Sequence, residues 1–439
     1  MKRRQTRTLL ELISQPATLE KAWQSVKKGS PSSSGIDNIT IADFTRIWSQ
    51  KTKLIQASLR AQTYNFSPYR GQPIKKKSGA LVDDLKAWRP ISIPTVSDRI
   101  VQRAILDRIW KDIRSRVYIE TSFGGIRQYK VKSSRRMPQT PPLESNDQRC
   151  VKSAVKRILE LREQGYVWVF ETDIEKFFPS IDRIRLLDIL QNLLRDHSID
   201  TLIKSSLDTS IANAKELGKL AELWDSTSGV PQGGILSPIL ANLYLYEHDK
   251  SLSDLGFKLV RYVDDLVILT EDEKRACQAY EACKQSLKTL GLNIHPLGLE
   301  SNNRVKTRIL SPSQPFEFLG LTFARESIRP SLSKFARLKY RIDEITDTHK
   351  QNITLDKIVQ ELNWCMKGWV NAYSFCNFSE HDLVQIDSDI EKRLRGWLLR
   401  RGIISNLNKI DKNAYKWLGI KSAKSIYISP LLKGTKHHK

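Results

Sequence analysis

The chain has 439 residues, 40% of them hydrophobic and 27% charged. That excludes a disordered or fibrous polymer and leaves room for two or three separately cored units. Lysine and arginine outnumber aspartate and glutamate 72 to 48, a formal charge of +24; a field of that sign concentrates polyanions, so nucleic acid is the expected partner. Five cysteines without a C-x-x-C pair argue against a disulfide framework or a zinc-bound nuclease module. The basic start opens no long apolar stretch, so a cytoplasmic protein with no signal peptide and no membrane span is expected.

From the N-terminus, Leu9, Leu10, Ile13, Leu19, Ala22 and Trp23 predict a helix over 8–28, interrupted at Pro16. Ser30 to Gly35 reads as a loop, and 41–61 as a second amphipathic helix. Pro68 to Gly79 is a strand-and-turn region carrying Lys75-Lys76-Lys77. Val96, Ile100, Val101, Ala104, Ile105, Ile109 and Trp110 set the buried side of a helix over 96–113. Within 124–149, the polar, basic, Pro-bearing stretch from Gln128 to Asn146 predicts an exposed excursion or mobile loop.

Order resumes with a helix at 151–164, and an apolar strand, Tyr166 to Phe170, runs into Asp173. A helical block over 183–222 follows. Leu259 to Arg261 and Leu266 to Thr270 predict two strands flanking a tight turn at Asp264-Asp265. Phe316 to Phe323 reads as one more strand. Beyond it, Phe335, Leu338, Ile342 and Ile345, then Leu362, Cys365, Trp369, Ala372 and Tyr373, recur at helical spacing. A helical bundle after an α/β body is the expected architecture.

The carboxylates carry the chemical content. Forming a phosphodiester requires an activated hydroxyl and a neutralised leaving group, which two divalent ions about 3.5–4 Å apart supply, and such hard cations take carboxylate oxygens. Asp264 and Asp265 at a hairpin tip and Asp173 at a second strand end are candidates for that site. Taken singly, an acidic pair is also what a turn favours, and Asp173 also suits a helix N-cap.

In order along the chain, six segments resemble bacterial reverse transcriptases, most closely those of group II introns, from about Ser34 to Arg401. Gly35-Ile36-Asp37 and Arg89-Pro90-Ile91-Ser92-Ile93-Pro94 are similar to N-terminal and fingers elements. Asp173-Ile174-Glu175-Lys176-Phe177-Phe178 is similar to the first catalytic motif, and Gly229-Val230-Pro231-Gln232-Gly233-Gly234 to the nucleotide-positioning motif. Tyr262-Val263-Asp264-Asp265 resembles the second catalytic motif, and Phe318-Leu319-Gly320 the primer grip.

The resemblance implies an α+β right-hand polymerase: N-terminal extension and fingers over 1–165, an antiparallel palm over 166–325, and a helical thumb or maturase-like domain over 326–439. It implies RNA-directed DNA synthesis, with an RNA template, dNTPs and a DNA product. Asp173, Asp264, Asp265 and the Ile174 carbonyl would hold two Mg²⁺ ions, with Mn²⁺ as a substitute. Lys76 and Arg89 would meet the triphosphate, Phe178 would exclude a ribose 2′-OH, and Gln232 would line the nucleotide pocket. Lys306-Thr307 resembles a later motif whose lysine is a candidate proton donor to pyrophosphate, and an ordinary surface lysine is the alternative. Lys392, Arg393 and Arg395 would meet nucleic-acid phosphates.

Three features depart from the family. Val263 stands where intron enzymes usually carry Ala. Ser122-Phe123-Gly124-Gly125-Ile126-Arg127 runs into the basic excursion instead of Arg-Pro-Gly, and no endonuclease module is readable. Together they suggest a reverse transcriptase in antiviral defence that copies a dedicated structured RNA; an intron maturase and a CRISPR-adaptation enzyme are the alternatives. A different class of answer is an RNA-binding protein that keeps the polymerase fold and works through its basic surfaces.

Overall fold

The computed structural model describes residues 7–76, 83–117, 119–125, 150–208, 210–224, 229–298, 305–347, 353–404 and 418–427. Lys77, the excursion from Gln128 to Asn146 and part of the spacer before Lys306 lie outside them. The chain divides into two compact units, Met1–Ile309 and Leu310–Lys439.

In the first unit the N-terminal stretch forms two helices, Leu9–Ile13 and Pro16–Val26. Proline at the first helical position starts the second helix, since its missing N–H would have no partner there. A 20-residue helix, Ile41–Arg60, begins at a Thr40–Asp43 capping box. These pack on the long helix Val96–Val117, four residues longer than predicted. Ile100, Val101, Ala104, Ile105 and Ile109 have no exposure, and each large aliphatic removed from water in this way contributes roughly 1.5–3 kcal/mol. That helix also buries Arg103 against Asp107, 2.5 Å away, and the polar Asp98 and Gln102, which bond to Tyr64, Thr95 and Tyr69.

Strands β1 (Arg70–Lys75) and β2 (Trp88–Ile93) form an antiparallel ribbon. The central sheet has the order β4-β5-β3-β6, built from β3 (Trp168–Asp173), β4 (Lys258–Tyr262), β5 (Asp265–Thr270) and β6 (Arg308–Leu310). Two details differ from the expectation. Strand β3 starts two residues later and ends three residues later than expected, so Asp173 is its last member rather than its successor. The β4–β5 turn is Val263-Asp264, and Asp265 already belongs to β5. The predicted helical block over 183–222 is broken into Arg183–Leu193, Asp200–Ser206 and Ala214–Leu217, with a tighter turn over Gly218–Trp224.

In the second unit the single strand expected at 316–323 is a hairpin, β7 (Phe316–Phe318) and β8 (Leu321–Phe323), joined to β9 (Ile328–Pro330). Leu319 and Gly320 take φ of 56° and 73°, the two positive values a two-residue twisted hairpin requires. A leucine in the first of those positions hides the turn from sequence. Helices Leu332–Ile345, Leu355–Ala372 and Glu380–Arg400 follow, cored by Leu338, Ile342, Leu362, Met366, Ile390, Leu394 and Trp397. Trp369 packs among Phe335, Tyr373 and Phe378. Trp364 and Tyr340 stand outside this core, 64% and 62% exposed. Among the described residues no helix is long and apolar enough to cross a membrane.

Candidate active site

The antiparallel register brings the separated acids to one end of the sheet. Asp173 is the cross-strand partner of Asp265, which also faces Tyr262 on β4. Across the same end the Ile174 amide donates to the Asp264 carbonyl at 3.3 Å. The burial of β5, whose Leu266 to Leu269 are almost fully enclosed, leaves its first residue at the rim, so alternation and termination together put the acids there.

Charge governs what these groups do. Burial of the carboxyl, then Asp264 and Asp173, push Asp265 up to about 7. Because that residue keeps an open face to solvent, repulsion between the acids is the firmer cause. Burial and Asp173 raise Asp264 as well, while Arg89 and Lys306 lower both. Asp173 is held by Lys306, with Nζ 2.5 Å from Oδ2. Its Oδ1 is shielded and makes no hydrogen bond; His295 Nε2 lies 3.2 Å away, in ion-pair range but poorly directed. His295 Nδ1 in turn lies 3.1 Å from Glu175.

The placement of Lys306 has a local cause. Three consecutive residues pair with three others: Lys306 with Asp173, Thr307 with Thr172 through a 2.7 Å hydroxyl contact, and Arg308 with Glu171. This side-chain ladder seats Lys306 beside Asp173, with its side chain still 55% exposed. No role was expected for His295, nor for Glu175 beyond its place in the first catalytic motif, because their meeting depends on the antiparallel bridge between Ile174 and Ile294.

The remaining candidates lie on the first unit as follows. Arg89 is on β2 opposite Ile74. Lys76 follows β1, and its Nζ donates to the Lys86 carbonyl at 2.8 Å. Burial, then Arg89 and Lys306, lower the Lys76 pKa, so these three cations share one field with Asp173.

Phe178 is half-buried beside Phe177, ring centroids 5.4 Å apart, and its carbonyl accepts from Val230 at 2.9 Å. The loop after it is pressed between two backbones. A Cβ at Gly229 would lie 2.5 Å from the Phe178 carbonyl, and one at Gly233 would lie 2.4 Å from the Ser92 carbonyl. That leaves Gln232 fixed by its own carbonyl, which accepts from Ser92 at 2.6 Å, while its side-chain Oε1 is buried without a partner.

In the second unit Lys392 is exposed, and Arg393 is engaged by Asp343 at 2.6 Å. Arg395 is partly buried.

Behind the hairpin, His248 is 1% exposed and burial lowers its pKa to about 4, against an ordinary 6.5. The unfolded chain therefore takes up a proton below pH 6.5 that the folded chain refuses. The sign follows: stability falls as pH drops from about 6.5 towards 4, by up to about 3 kcal/mol. Urea unfolding at pH 7.5, 5.5 and 4.5 measures it. His248→Gln should flatten that window, and an unchanged slope would assign the acid loss to other groups.

Among the described residues no three His, Cys, Asp or Glu side chains converge closely enough to cage an ion. The donor set nevertheless suits a hard cation: carboxylates that raise one another's pKa, and a shielded Asp173 oxygen without a hydrogen bond.

Residues 74–323 match the family described as reverse transcriptase (RNA-dependent DNA polymerase), and 335–409 match the group II intron, maturase-specific domain. The group II intron-encoded protein LtrA of Lactococcus lactis subsp. cremoris is 29% identical over 300 residues, 68% of this chain and 42% of that protein. This chain thus spans less than half the length of that relative. Protein YkfC of Escherichia coli (strain K12) is 25% identical over 364 residues, 73% of this chain and 84% of that one. A chain of a partial Cas6-RT-Cas1–Cas2 complex superposes with a TM-score of 0.35 at 25% identity, covering 65% of this chain and 42% of that chain.

Proposed function

The chain belongs to the reverse transcriptase family, and from that premise we propose that it is an RNA-directed DNA polymerase of the group II intron type. The observation that supports this reading is the register pairing of Asp173 with Asp265 beside the Val263-Asp264 turn. It puts three hard-oxygen donors at one sheet end with Lys76, Arg89 and Lys306 in the same field.

In this reading Asp173, Asp264, Asp265 and the Ile174 carbonyl hold Mg²⁺, for which Mn²⁺ substitutes. The bound cations would activate the primer hydroxyl and neutralise the departing pyrophosphate. Asp173 turns from Lys306 to serve as a ligand, which frees that ammonium, with Lys76 and Arg89, to bind triphosphate oxygens. Phe178 excludes the ribose 2′-OH. Gln232 offers its unpartnered Oε1 to the incoming nucleotide.

The test is extension of a DNA primer on an RNA template by the purified chain with dNTPs and Mg²⁺. Extension that follows the template sequence is expected. RNA binding without any extension would favour the RNA-binding alternative and sink the polymerase reading.

The match of 335–409 to the maturase-specific domain supports a structured RNA as the partner, with the exposed Lys392 and partly buried Arg395 as phosphate contacts and Arg393 committed to Asp343. Antiviral defence rests on the departures from the family pattern, Val263 and the basic excursion among them. Sequencing the RNA that co-purifies distinguishes an intron from a dedicated non-coding template.

A further inference from the structure

Strand β4 carries a charge where an apolar residue is expected. Arg261 has no exposure, and a guanidinium does not shed its proton, so partners must hold it. Asp249, equally enclosed, takes two of its donors: Nε reaches Oδ1 at 2.8 Å and Nη2 reaches Oδ2 at 2.5 Å. The remaining nitrogen, Nη1, donates to Asn242 Oδ1 at 2.7 Å and to the Val263 backbone carbonyl at 3.0 Å.

The partners are themselves fixed. Asn242 donates to the Gly124 carbonyl at 2.8 Å and accepts from Ser122 at 3.1 Å. Thr121 donates to Asp249 at 3.2 Å. The segment bearing these groups lies along β4, where the Arg261 amide donates to Thr121 and its carbonyl accepts from Phe123.

What this cluster grips is the strained residue of the acidic turn. Val263 has a φ of 63°, a left-handed conformation that a β-branched residue rarely adopts. The first position of a two-residue hairpin normally goes to glycine, asparagine or aspartate. Gly124 closes the other side: a Cβ there would lie 2.6 Å from the Tyr262 ring and 2.9 Å from the Val263 nitrogen.

We propose that Arg261 is a positioning residue, which pins Val263 in its left-handed conformation so that Asp264 and Asp265 present a fixed pair of oxygens to a divalent cation. The proposal rests on the polymerase reading and deepens it. Arg261 acts by geometry rather than by its field, because Asp249 cancels its charge. The groups that bear on Asp264 and Asp265 are Asp173, Arg89 and Lys306.

Arg261→Lys keeps a cation for Asp249, but one ammonium does not reach Asp249, Asn242 and the Val263 carbonyl together. The variant should unfold within a few degrees of wild type and bind primed RNA with unchanged affinity. Its Mn²⁺ dissociation constant, read by electron paramagnetic resonance, should weaken about tenfold, and kcat should fall by about 10–100-fold with little change in KM.

Glycine takes a positive φ without being held, so Arg261→Lys/Val263→Gly should recover most of the Mn²⁺ affinity and kcat. Unchanged Mn²⁺ affinity in Arg261→Lys, or no recovery with glycine, would overturn the proposal and leave Arg261 as a core ion pair. If Arg261→Lys does not fold, Asn242→Ala with and without Val263→Gly makes the same comparison. Wild-type protein that binds Mn²⁺ yet extends no primer overturns the polymerase reading alone, and the Mn²⁺ affinities of the variants still decide the positioning role. No Mn²⁺ binding at all overturns both.

Discussion

Replacing Asp264 and Asp265 together by alanine should lower primer extension by at least ~10³-fold while primed-RNA binding stays within about twofold, because charge stabilisation at the reacting phosphate is lost and no basic contact is. The stability result should run the other way. Repulsion and burial already penalise the ionised acids, with Asp265 pushed up to about 7, so without divalent metal Asp265→Asn should unfold at the same or a higher temperature than wild type. A loss of activity that merely tracks a loss of folded protein would remove these residues from the chemistry. Full activity in the double variant would remove the site altogether.

The second large effect concerns sugar choice. Phe178→Ala should raise ribonucleotide incorporation relative to deoxynucleotide by about 10–100-fold, the range over which a pocket wall discriminates a substrate by a single hydroxyl. The ring is well fixed for that role. Its carbonyl is tied to Val230, Gly229 presses on its backbone, and Phe177 packs against its side. Competition between dNTP and rNTP on one template gives the ratio, and an unchanged ratio with reduced rate would make Phe178 a packing residue only. A paired Phe177→Ala variant separates the two, since Phe177 is buried in the core and its loss should cost stability without changing the ratio.

The elements legible in the sequence were those with a local cause. Pro16 divided the first helix, the amphipathic stretch over 41–61 placed the next one, and the apolar runs around Tyr262 to Asp265 announced a hairpin. Strand boundaries were less legible: Asp173 and Asp265 both proved to be strand members, because cross-strand pairing with each other, not their own preference for turns, sets where β3 ends and β5 begins. The Phe316–Phe323 hairpin was missed for a related reason. Its turn uses Leu319, a residue type that does not advertise a positive φ.

Arg261 did leave a signal: a charge inside Leu259-Val260-Arg261-Tyr262 implies a buried partner. Which partner was not readable from the strand itself, since Asp249 and Asn242 come from other elements. Lys306 lies 133 residues from Asp173, and their meeting depends on the Thr172–Thr307 and Glu171–Arg308 contacts beside them.

By itself, then, the sequence determined which acids and motif residues the chain owns, in what order, and a net charge of +24 that favours polyanions, because composition and short-range motifs are properties of the chain alone. Tertiary structure decided how those acids meet, that Lys306 and His295 attend Asp173, and that a strained Val263 is held by a buried arginine. Those facts depend on strand register and burial, which exist only once distant segments have packed.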